Sequence, residues 1–274
     1  MIILFLVISI VAIVLSIVKL SKKSISYSPF ESGTSPSPSP YIIMFDIKNK
    51  LNSTPNPHLS VTKKGGLDSI EDITLNVVTK YIKFNNRKID LLDIGGGQGW
   101  GSILYNNPNI NYYCLDLKET KRNDNINYIK GDITDINLKL DKTFDIIFSK
   151  DTFEHILNPW DATNNLTKLL KNNGLILFFV PFSWRYHSSP YDTYRYSHTG
   201  LQYIIERFGY IKKIQSGYIK FGNINGFWKN KKDYTINGEP FPNCLETFYI
   251  GIKDDTYKFN INDLDIDNSW NHDK

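Results

Sequence analysis

The sequence predicts an α/β fold in which a mostly parallel, seven-stranded sheet is covered by helices on both faces. From Leu67 onward, short apolar runs alternate with segments of helical periodicity, which is typical of doubly wound parallel sheets. A glycine-rich segment follows the first apolar run directly. The predicted strands are Ile89–Ile94, Asn111–Leu117, Ile126–Ile129, Phe144–Ser149, Gly174–Val180, Ile211–Ser216 and Glu246–Ile252, the last two as a closing pair.

Three segments have the periodicity of helices. In the first of them, Ile73, Val77 and Tyr81 share one face with other apolar residues. Asp68 and Glu71 have the spacing of a capping arrangement at its start. The other two predicted helices are Pro159–Leu170 and Thr199–Phe208, each between predicted strands.

The first residues predict a membrane anchor. Residues 1–18 are apolar apart from two serines, and such a helix spans about 27 Å at about 1.5 Å per residue, close to the thickness of a bilayer core. A cleaved signal peptide and a buried helix are the alternatives. Lys19, Lys22 and Lys23 follow the apolar run, so the positive-inside rule predicts a single-pass membrane protein whose remaining chain is cytoplasmic.

Composition divides the chain into four segments. The linker ends in Ser35–Pro40, where serine and proline alternate, a pattern that favours an extended spacer. We predict a transmembrane anchor at residues 1–20, a Ser/Pro-rich linker at 21–60, a catalytic domain at 61–253 and a polar C-terminal tail at 254–274.

Composition, charge and cysteine content indicate which classes of protein to consider first. The formal net charge of +4 over 274 residues gives no strong nucleic-acid signal. Hydrophobic residues make up 41% of the chain, enough for a packed core. Cys114 and Cys244 lie far apart, so they form neither a disulfide framework nor a zinc-binding pattern.

The glycine-rich loop carries the most specific motif, with the spacing Asp93-x-Gly95-x-Gly97-x-Gly99. Glycine is needed where the backbone turns sharply and approaches a ligand without an intervening Cβ. The NAD fingerprint fails because Trp100 stands in place of its third glycine, and no Gly-Lys-Ser/Thr ending marks a P-loop. The alternative is a tight turn that binds no ligand.

Carboxylates follow the next two predicted strands. Asp116 ends the second strand, where a carboxylate can accept hydrogen bonds from both ribose hydroxyls of a nucleotide. Asp132 follows the third strand within Gly131-Asp132-Ile133. An ordinary surface aspartate and an ordinary Gly-Asp turn are the alternatives.

Together with Phe144–Ser149 before Glu154-His155, and Gly174–Leu177 before Pro181, these motifs resemble class I SAM-dependent methyltransferases with a type 11/23-like domain. The resemblance covers about Leu67 to Ile252. It implies a Rossmann-like fold and S-adenosyl-L-methionine (SAM) as the cofactor. The cofactor-binding residues it implies are Asp93, Gly95, Gly97 and Gly99 at the methionine end, Asp116 at the ribose, Asp132 and Ile133 at the adenine, and also Leu117 and Ser149.

The segment after the fifth strand should face the ligand, because open α/β sheets bind ligands beyond the carboxyl ends of their strands. Residues 184–196 are rich in aromatic side chains, which can hold a sulfonium by cation–π attraction. They resemble the H-x-x-P-x-D-x-x-R-Y signature of a methyltransferase subgroup with mostly unassigned acceptors. We predict His155 and His187 as catalytic residues, and Tyr186, Asp192, Tyr194 and Arg195 as substrate-binding residues. The alternative is a rigid loop in which Asp192 and Arg195 form an internal salt bridge.

A metal site is a further hypothesis for the segment after the fourth strand. On a helix, Asp151, Glu154 and His155 would share one face, since their spacing is i, i+3 and i+4. The pattern is similar to the acid-x-x-Glu-His site of some O-methyltransferases that hold a divalent ion, where a further histidine, here His187, completes the site. The same Glu-His pair commonly only caps and packs the helix, so the sequence predicts no metal.

The resemblance therefore implies a SAM-dependent methyltransferase with an unidentified O- or N-acceptor. Its partners would be SAM, this acceptor and, through residues 1–20, a membrane. A membrane-tethered SAM-binding module without catalysis is the first alternative. A nucleotide-dependent oxidoreductase is the second, which NADH binding in place of SAM would reveal.

Overall fold

Helices and strands alternate in the computed structural model, which describes residues 70–96, 101–118, 123–184, 186–188, 190–220, 235–236, 239–240 and 245–264. The helices are α1 (Ile70–Asn85), α2 (Ser102–Tyr105), α3 (Pro159–Leu169) and α4 (His198–Glu206). The strands are β1 (Ile89–Ile94), β2 (Ile110–Asp116), β3 (Ile126–Lys130), β4 (Phe144–Lys150), β5 (Leu170–Ser183), β6 (Ile211–Lys220), β7 (Thr235–Ile236), β8 (Glu239–Pro240) and β9 (Leu245–Lys253). Short 3-10 turns cover Phe153–His155 and Ile261–Asp263.

Seven strands form one sheet in the order β3-β2-β1-β4-β5-β9-β6. Strands β1 to β5 pair in parallel, and β9 lies antiparallel between β5 and β6. This topology confirms the predicted α/β fold, its mostly parallel sheet and the closing strand pair. The strand order reverses between β1 and β4. Doubly wound folds bind ligands at the carboxyl ends of the strands at such a point.

Each face of the sheet is covered by helices with an apolar face. On one side, α1 contributes Ile73 and Val77 to the same buried cluster as Leu91 and Phe148 of the sheet. On the other side, α3 and α4 pack their own apolar residues, including Leu166 and Leu201, against the sheet. The periodicity seen in the sequence therefore marks buried faces, as predicted.

Local signals explain where the helices begin and end. The side chain of Asn158 accepts a hydrogen bond from the backbone N–H of Asp161, which caps the start of α3. Ser197 caps α4 in the same way, accepting from the N–H of Gly200 at 3.0 Å. Helix α2 has only four residues and ends before Pro108.

Several predicted segments lie wholly or partly outside the described residues. These are the anchor at 1–20, the linker at 21–60 and residues 265–274 of the tail. Within the part of the chain that is described, no helix is long and apolar enough to cross a membrane. The described part of the tail contacts the domain, because the Tyr257 hydroxyl donates to Glu206 of α4 at 3.1 Å.

Candidate active site

The glycine loop begins where β1 ends. Gly95 has φ +75°, a conformation that side chains rarely adopt, and its N–H donates to the carbonyl of Leu115 at 2.9 Å. A Cβ at this position would lie 2.5 Å from Cγ2 of Thr152, so the turn after β4 packs directly on the loop. Gly97 and Gly99 lie outside the described residues.

Asp93 lies beneath the loop. It is 1% exposed, and its carboxylate accepts a hydrogen bond from the Tyr112 hydroxyl of β2. Burial raises the pKa of Asp93 to about 7, although the hydrogen bond from Tyr112 opposes the shift. Side chains at Gly96 and Gly101 would collide with this pair, at 2.5 Å from Cγ of Asp93 and 2.6 Å from Cζ of Tyr112. The pair therefore supports the loop from below, and contact between Asp93 and a cofactor stays a prediction.

Sequence reasoning missed Tyr112. The alternation along β2 could have revealed it. Ile110, Tyr112 and Cys114 occupy every second position of the strand, so they face the same side of the sheet, where all three are buried. A buried tyrosine hydroxyl needs a hydrogen-bond partner, and the neighbouring strand offers a buried carboxylate.

The other predicted cofactor residues divide into exposed and buried sets. Asp116, Leu117 and Asp132 are accessible at the carboxyl ends of β2 and β3, where Leu117 is 57% exposed. Asp116 accepts from the N–H of Lys118 at 3.1 Å, which fixes its carboxylate near the strand end. Ile133 and Ser149 are buried, and the Ser149 hydroxyl donates to the carbonyl of Ile94 at 3.2 Å. Only the exposed set is placed to touch a ligand without rearrangement.

Glu154, His155 and His187 form a cluster next to the turn after β4. Their ligand atoms all lie within 4.8 Å of one another. Glu154 is 0% exposed, and Nε2 of His155 and of His187 lie 3.4 and 3.6 Å from its Oε1 atom. Neither carboxylate oxygen of Glu154 has a hydrogen-bond partner among the described residues. A buried carboxylate with two converging imidazoles could hold a proton or a divalent ion.

Neighbouring groups hold the Nδ1 atoms of both histidines in place. Nδ1 of His187 lies 3.2 Å from Asp192 Oδ2, which also accepts from the backbone N–H of His187 at 2.7 Å. Nδ1 of His155 contacts the carbonyl oxygen of Tyr191. Such contacts fix the ring orientation, so that both Nε2 atoms face Glu154.

Asp192 and Arg195 are paired with each other, as one of the two sequence hypotheses proposed. Both carboxylate oxygens accept from the guanidinium, at 2.5 and 2.7 Å. Burial favours a raised pKa for Asp192, but the hydrogen bonds from Arg195 and His187 outweigh it and lower the pKa to about 2. Asp192 therefore stays ionised and positions His187, while its predicted contact with substrate stays untested.

Backbone contacts dock the segment after β5 on the cluster. The N–H groups of Thr193 and Tyr194 both donate to the carbonyl of Glu154, at 2.8 and 3.3 Å. Tyr194 also donates its hydroxyl to the carbonyl of Leu157 at 3.1 Å. Tyr186 is 72% exposed, so of the predicted substrate-binding residues it is the most accessible to an acceptor.

The arrangement of Asp151 predicted from helical spacing is wrong. Asp151 has φ +50°, and its N–H donates to the carbonyl of Phe179, which extends the β4–β5 pairing and prevents a helix. Its carboxylate contacts the ammonium group of Lys150. The group that could hold a metal is therefore Glu154, His155 and His187, without Asp151.

Part of the chain is similar to known proteins. Residues 92–178 match the family described as Methyltransferase domain. Ubiquinone biosynthesis O-methyltransferase of Rickettsia bellii is 27% identical over 126 residues, which cover 41% of this chain and 52% of that protein. Malonyl-[acyl-carrier protein] O-methyltransferase 2 of Ilyobacter polytropus is 35% identical over 109 residues, which cover 36% of this chain and 41% of that protein. The chain thus spans about half the length of the curated relatives it matches.

A solved structure of a Haemonchus contortus N-methyltransferase in complex with S-adenosylhomocysteine is also similar. It is 15% identical, the match covers 61% of this chain and 49% of that chain, and the TM-score is 0.43.

The family match includes the end of β1, the glycine loop, β2, β3 and β4, which are the elements that carry the predicted cofactor motifs. Residues 92–178 are thus similar to a methyltransferase domain.

Proposed function

We propose that this chain transfers the methyl group of SAM to an oxygen or nitrogen acceptor. One observation carries the proposal: the turn after β4 packs on the glycine loop through Thr152 and bears Glu154 and His155 two and three residues further on. A cofactor over the loop and an acceptor at the histidines would therefore meet across this turn. The methyltransferase domain match supports the same reading.

The residues present fit SAM. Gly95 lets the loop turn tightly against Thr152 at the end of β1, and Asp116 presents a carboxylate at the end of β2, where a ribose would lie. When bound, SAM supplies a methyl group already activated on a cationic sulphur. The protein must then hold the acceptor in line and keep water away, since alignment provides much of the rate.

An acceptor that carries a proton must lose it. His155 and His187 are our candidates for accepting this proton, because their Nδ1 contacts leave both Nε2 atoms directed into the cluster. Both curated relatives are named O-methyltransferases, which favours an oxygen acceptor here.

A second candidate chemistry uses the same residues and a divalent ion. The observation that favours it is that Glu154, fully buried, leaves both oxygens without a hydrogen-bond partner beside two imidazole nitrogens. Glu154, His155 and His187 would hold such an ion, which lowers the pKa of a bound hydroxyl directly. A binding module without catalysis remains the alternative if SAM binds and no methyl group is transferred.

The first test is cofactor binding by the full chain. Calorimetry should show binding of SAM, and Asp116→Ala should weaken it by about 1–3 kcal/mol, the usual cost of unpaired hydrogen-bonding groups. Asp141→Ala is the matched control. This exposed aspartate precedes β4, at the amino-terminal end of the strand, whereas Asp116 lies at the carboxyl-terminal end of β2. Radiolabelled SAM with cell fractions then identifies the acceptor class. Absence of SAM affinity in the wild type would contradict the proposal.

We further propose that residues 1–20 anchor the protein in a membrane and that the catalytic domain is cytoplasmic. The apolar run and the lysines that follow it support this placement. The full chain should remain in the membrane pellet after carbonate extraction, and in sealed vesicles the domain should resist added protease. Release by carbonate would exclude the anchor, and digestion from the exterior would reverse the orientation.

A further inference from the structure

Tyr112 of β2 and Asp93 of β1 form a buried pair beneath the glycine loop. The two residues are 2% and 1% exposed, and the Tyr112 hydroxyl donates a hydrogen bond to Oδ2 of Asp93. Their strands are neighbours in the sheet, and Asp93 lies opposite Cys114, two residues beyond Tyr112. The pairing of β1 with β2 therefore brings the hydroxyl and the carboxylate together.

The pair touches both ends of the loop. A Cβ at Gly96 would lie 2.5 Å from Cγ of Asp93. A Cβ at Gly101 would lie 2.6 Å from Cζ of Tyr112 and 3.0 Å from Oδ2 of Asp93. These distances are too short for any side chain, so both glycine backbones lie directly against the pair. One hydrogen-bonded unit thus supports the loop at residue 96, where it begins, and at residue 101, where α2 follows.

Other contacts hold the beginning of the loop and the tyrosine ring. The backbone N–H of Gly96 donates to the sulphur of Cys114, and the N–H of Gly95 donates to a carbonyl of β2 at 2.9 Å. Tyr105 of α2 packs edge-on against the Tyr112 ring, with 5.9 Å between the ring centroids. The Tyr112 hydroxyl, in contrast, meets the far end of the loop at residue 101. Its bond to the carboxylate therefore links that end to the beginning.

We propose that Tyr112 is a positioning residue for the cofactor: by holding the Asp93 carboxylate, its hydroxyl keeps both ends of the glycine loop in the conformation that binds SAM. This inference rests on the proposed SAM-dependent function. A hydrogen bond to an ionised group is roughly twice as strong as one between neutral groups, so the pair holds best when Asp93 is charged. A loop that is not held must be ordered when the ligand binds, and this cost weakens the affinity.

Protonation of Asp93 gives the inference a signature in pH. Burial raises the pKa of Asp93 to about 7, where Tyr112 opposes the rise and Asp116 reinforces it. Burial also raises the pKa of Tyr112, so its hydroxyl stays a donor. Cys114, whose pKa burial raises to about 12, and Tyr105 also adjoin the pair. SAM affinity should fall as the pH falls through about 7, because the neutral acid holds the hydroxyl less tightly.

The test measures SAM binding by calorimetry on the full chain, from about one pH unit below the Asp93 pKa of about 7 to about one unit above it. Tyr112→Phe removes the hydroxyl and retains the ring. We expect it to weaken binding about tenfold at the upper end, because a hydrogen bond to a charged group is lost. At the lower end the loss should be about twofold, because only about a tenth of Asp93 is ionised there in the wild type. The amino group of the ligand titrates identically with both proteins, so the ratio of the two affinities isolates the pair.

Tyr113→Phe is the matched control. Tyr113 follows Tyr112 in β2 but packs on the opposite face of the sheet, where its hydroxyl accepts a hydrogen bond from Lys142 at 2.6 Å. The substitution thus removes a similar bond to a charged group, and it should leave SAM affinity unchanged at every pH.

Two further variants test the link between the hydroxyl and the carboxylate. In an Asp93→Asn background, Tyr112→Phe should weaken SAM binding by only about twofold, without a change near pH 7, because the amide carries no charge. If Tyr112→Phe alone does not fold, Gly101→Ala displaces the same hydroxyl from the side of the loop and should give the same pH-dependent loss.

An equal loss of affinity at every pH would show that Tyr112 acts through packing alone, and would overturn the inference. Binding by Tyr112→Phe as tight as that of the wild type would overturn it as well. If the wild-type chain binds no SAM at any pH, the proposed function itself fails and the inference with it. The two failures are distinguishable, because the first appears only when the wild type binds.

Discussion

Alanine in place of Gly95 should reduce SAM binding by more than about thirtyfold. A non-glycine residue in left-handed backbone costs about 1–2 kcal/mol, and forced overpacking costs about 1–3 kcal/mol more. Gly95 faces both penalties, since its φ is +75° and a Cβ would lie 2.9 Å from Cβ of Thr152. If the loop relaxes to escape them, the geometry needed for the cofactor is lost. Calorimetry with SAM and thermal unfolding of the same samples measure the two effects separately.

Gly200→Ala is the matched control for this substitution. Gly200 lies in the first turn of α4, where a Cβ would have only the Ser197 hydroxyl as a close neighbour, at 3.1 Å. SAM affinity should be unchanged, because α4 lies away from the glycine loop. The helix preference of alanine and the shift that its Cβ imposes on the capping Ser197 hydroxyl act in opposite directions on stability. Full SAM affinity in Gly95→Ala would show that the cofactor does not approach the loop at this point.

The sheet was largely predictable because burial on both faces leaves continuous apolar runs in the sequence. The bounds of β1 agree with the prediction at both ends. Strand β5, in contrast, continues to Ser183, beyond the predicted end at Val180. The reason is non-local: β9 pairs with β5 as far as Leu245 opposite Ser183, and a local pattern contains no record of a distant partner.

The candidate site was predictable in its parts but not in its geometry. His155 and His187 were identified from motifs, and the structure brings them together with Glu154. Helical spacing placed Asp151 in the same group, but pairing of β4 with β5 continues through its N–H and turns its carboxylate toward Lys150. Tertiary hydrogen bonds override a spacing argument in such a short segment.

Lys150 and Glu246 were missed altogether. They are 96 residues apart in the chain and meet only because β9 returns beside β5. A signal was present, since a lysine that directly continues an apolar strand is rarely buried without a partner of opposite charge. The identity of that partner follows only from the strand order.

Replacement of both His155 and His187 by alanine should reduce methyl transfer by about 10²–10⁴-fold, the usual contribution of a positioned acid or base. SAM affinity should stay within about twofold, because the glycine loop and Asp116 are left intact. Transfer of radiolabelled methyl from SAM to the acceptor fraction and calorimetry of SAM binding test the two statements. Asp192→Asn should give a smaller loss, about tenfold, because His187 keeps its place but loses the charge that orients it.

Chelation then separates the two chemistries open to the cluster. If His155 and His187 act as bases, EDTA leaves transfer unchanged in the wild type, and elemental analysis finds no bound Mg or Zn. If Glu154, His155 and His187 hold an ion, EDTA removes activity and one divalent ion restores it. The variant Glu154→Gln then loses both the ion and the activity, because an amide cannot supply the anionic ligand. Full activity in the double histidine variant would contradict both, and would move the acceptor away from this cluster.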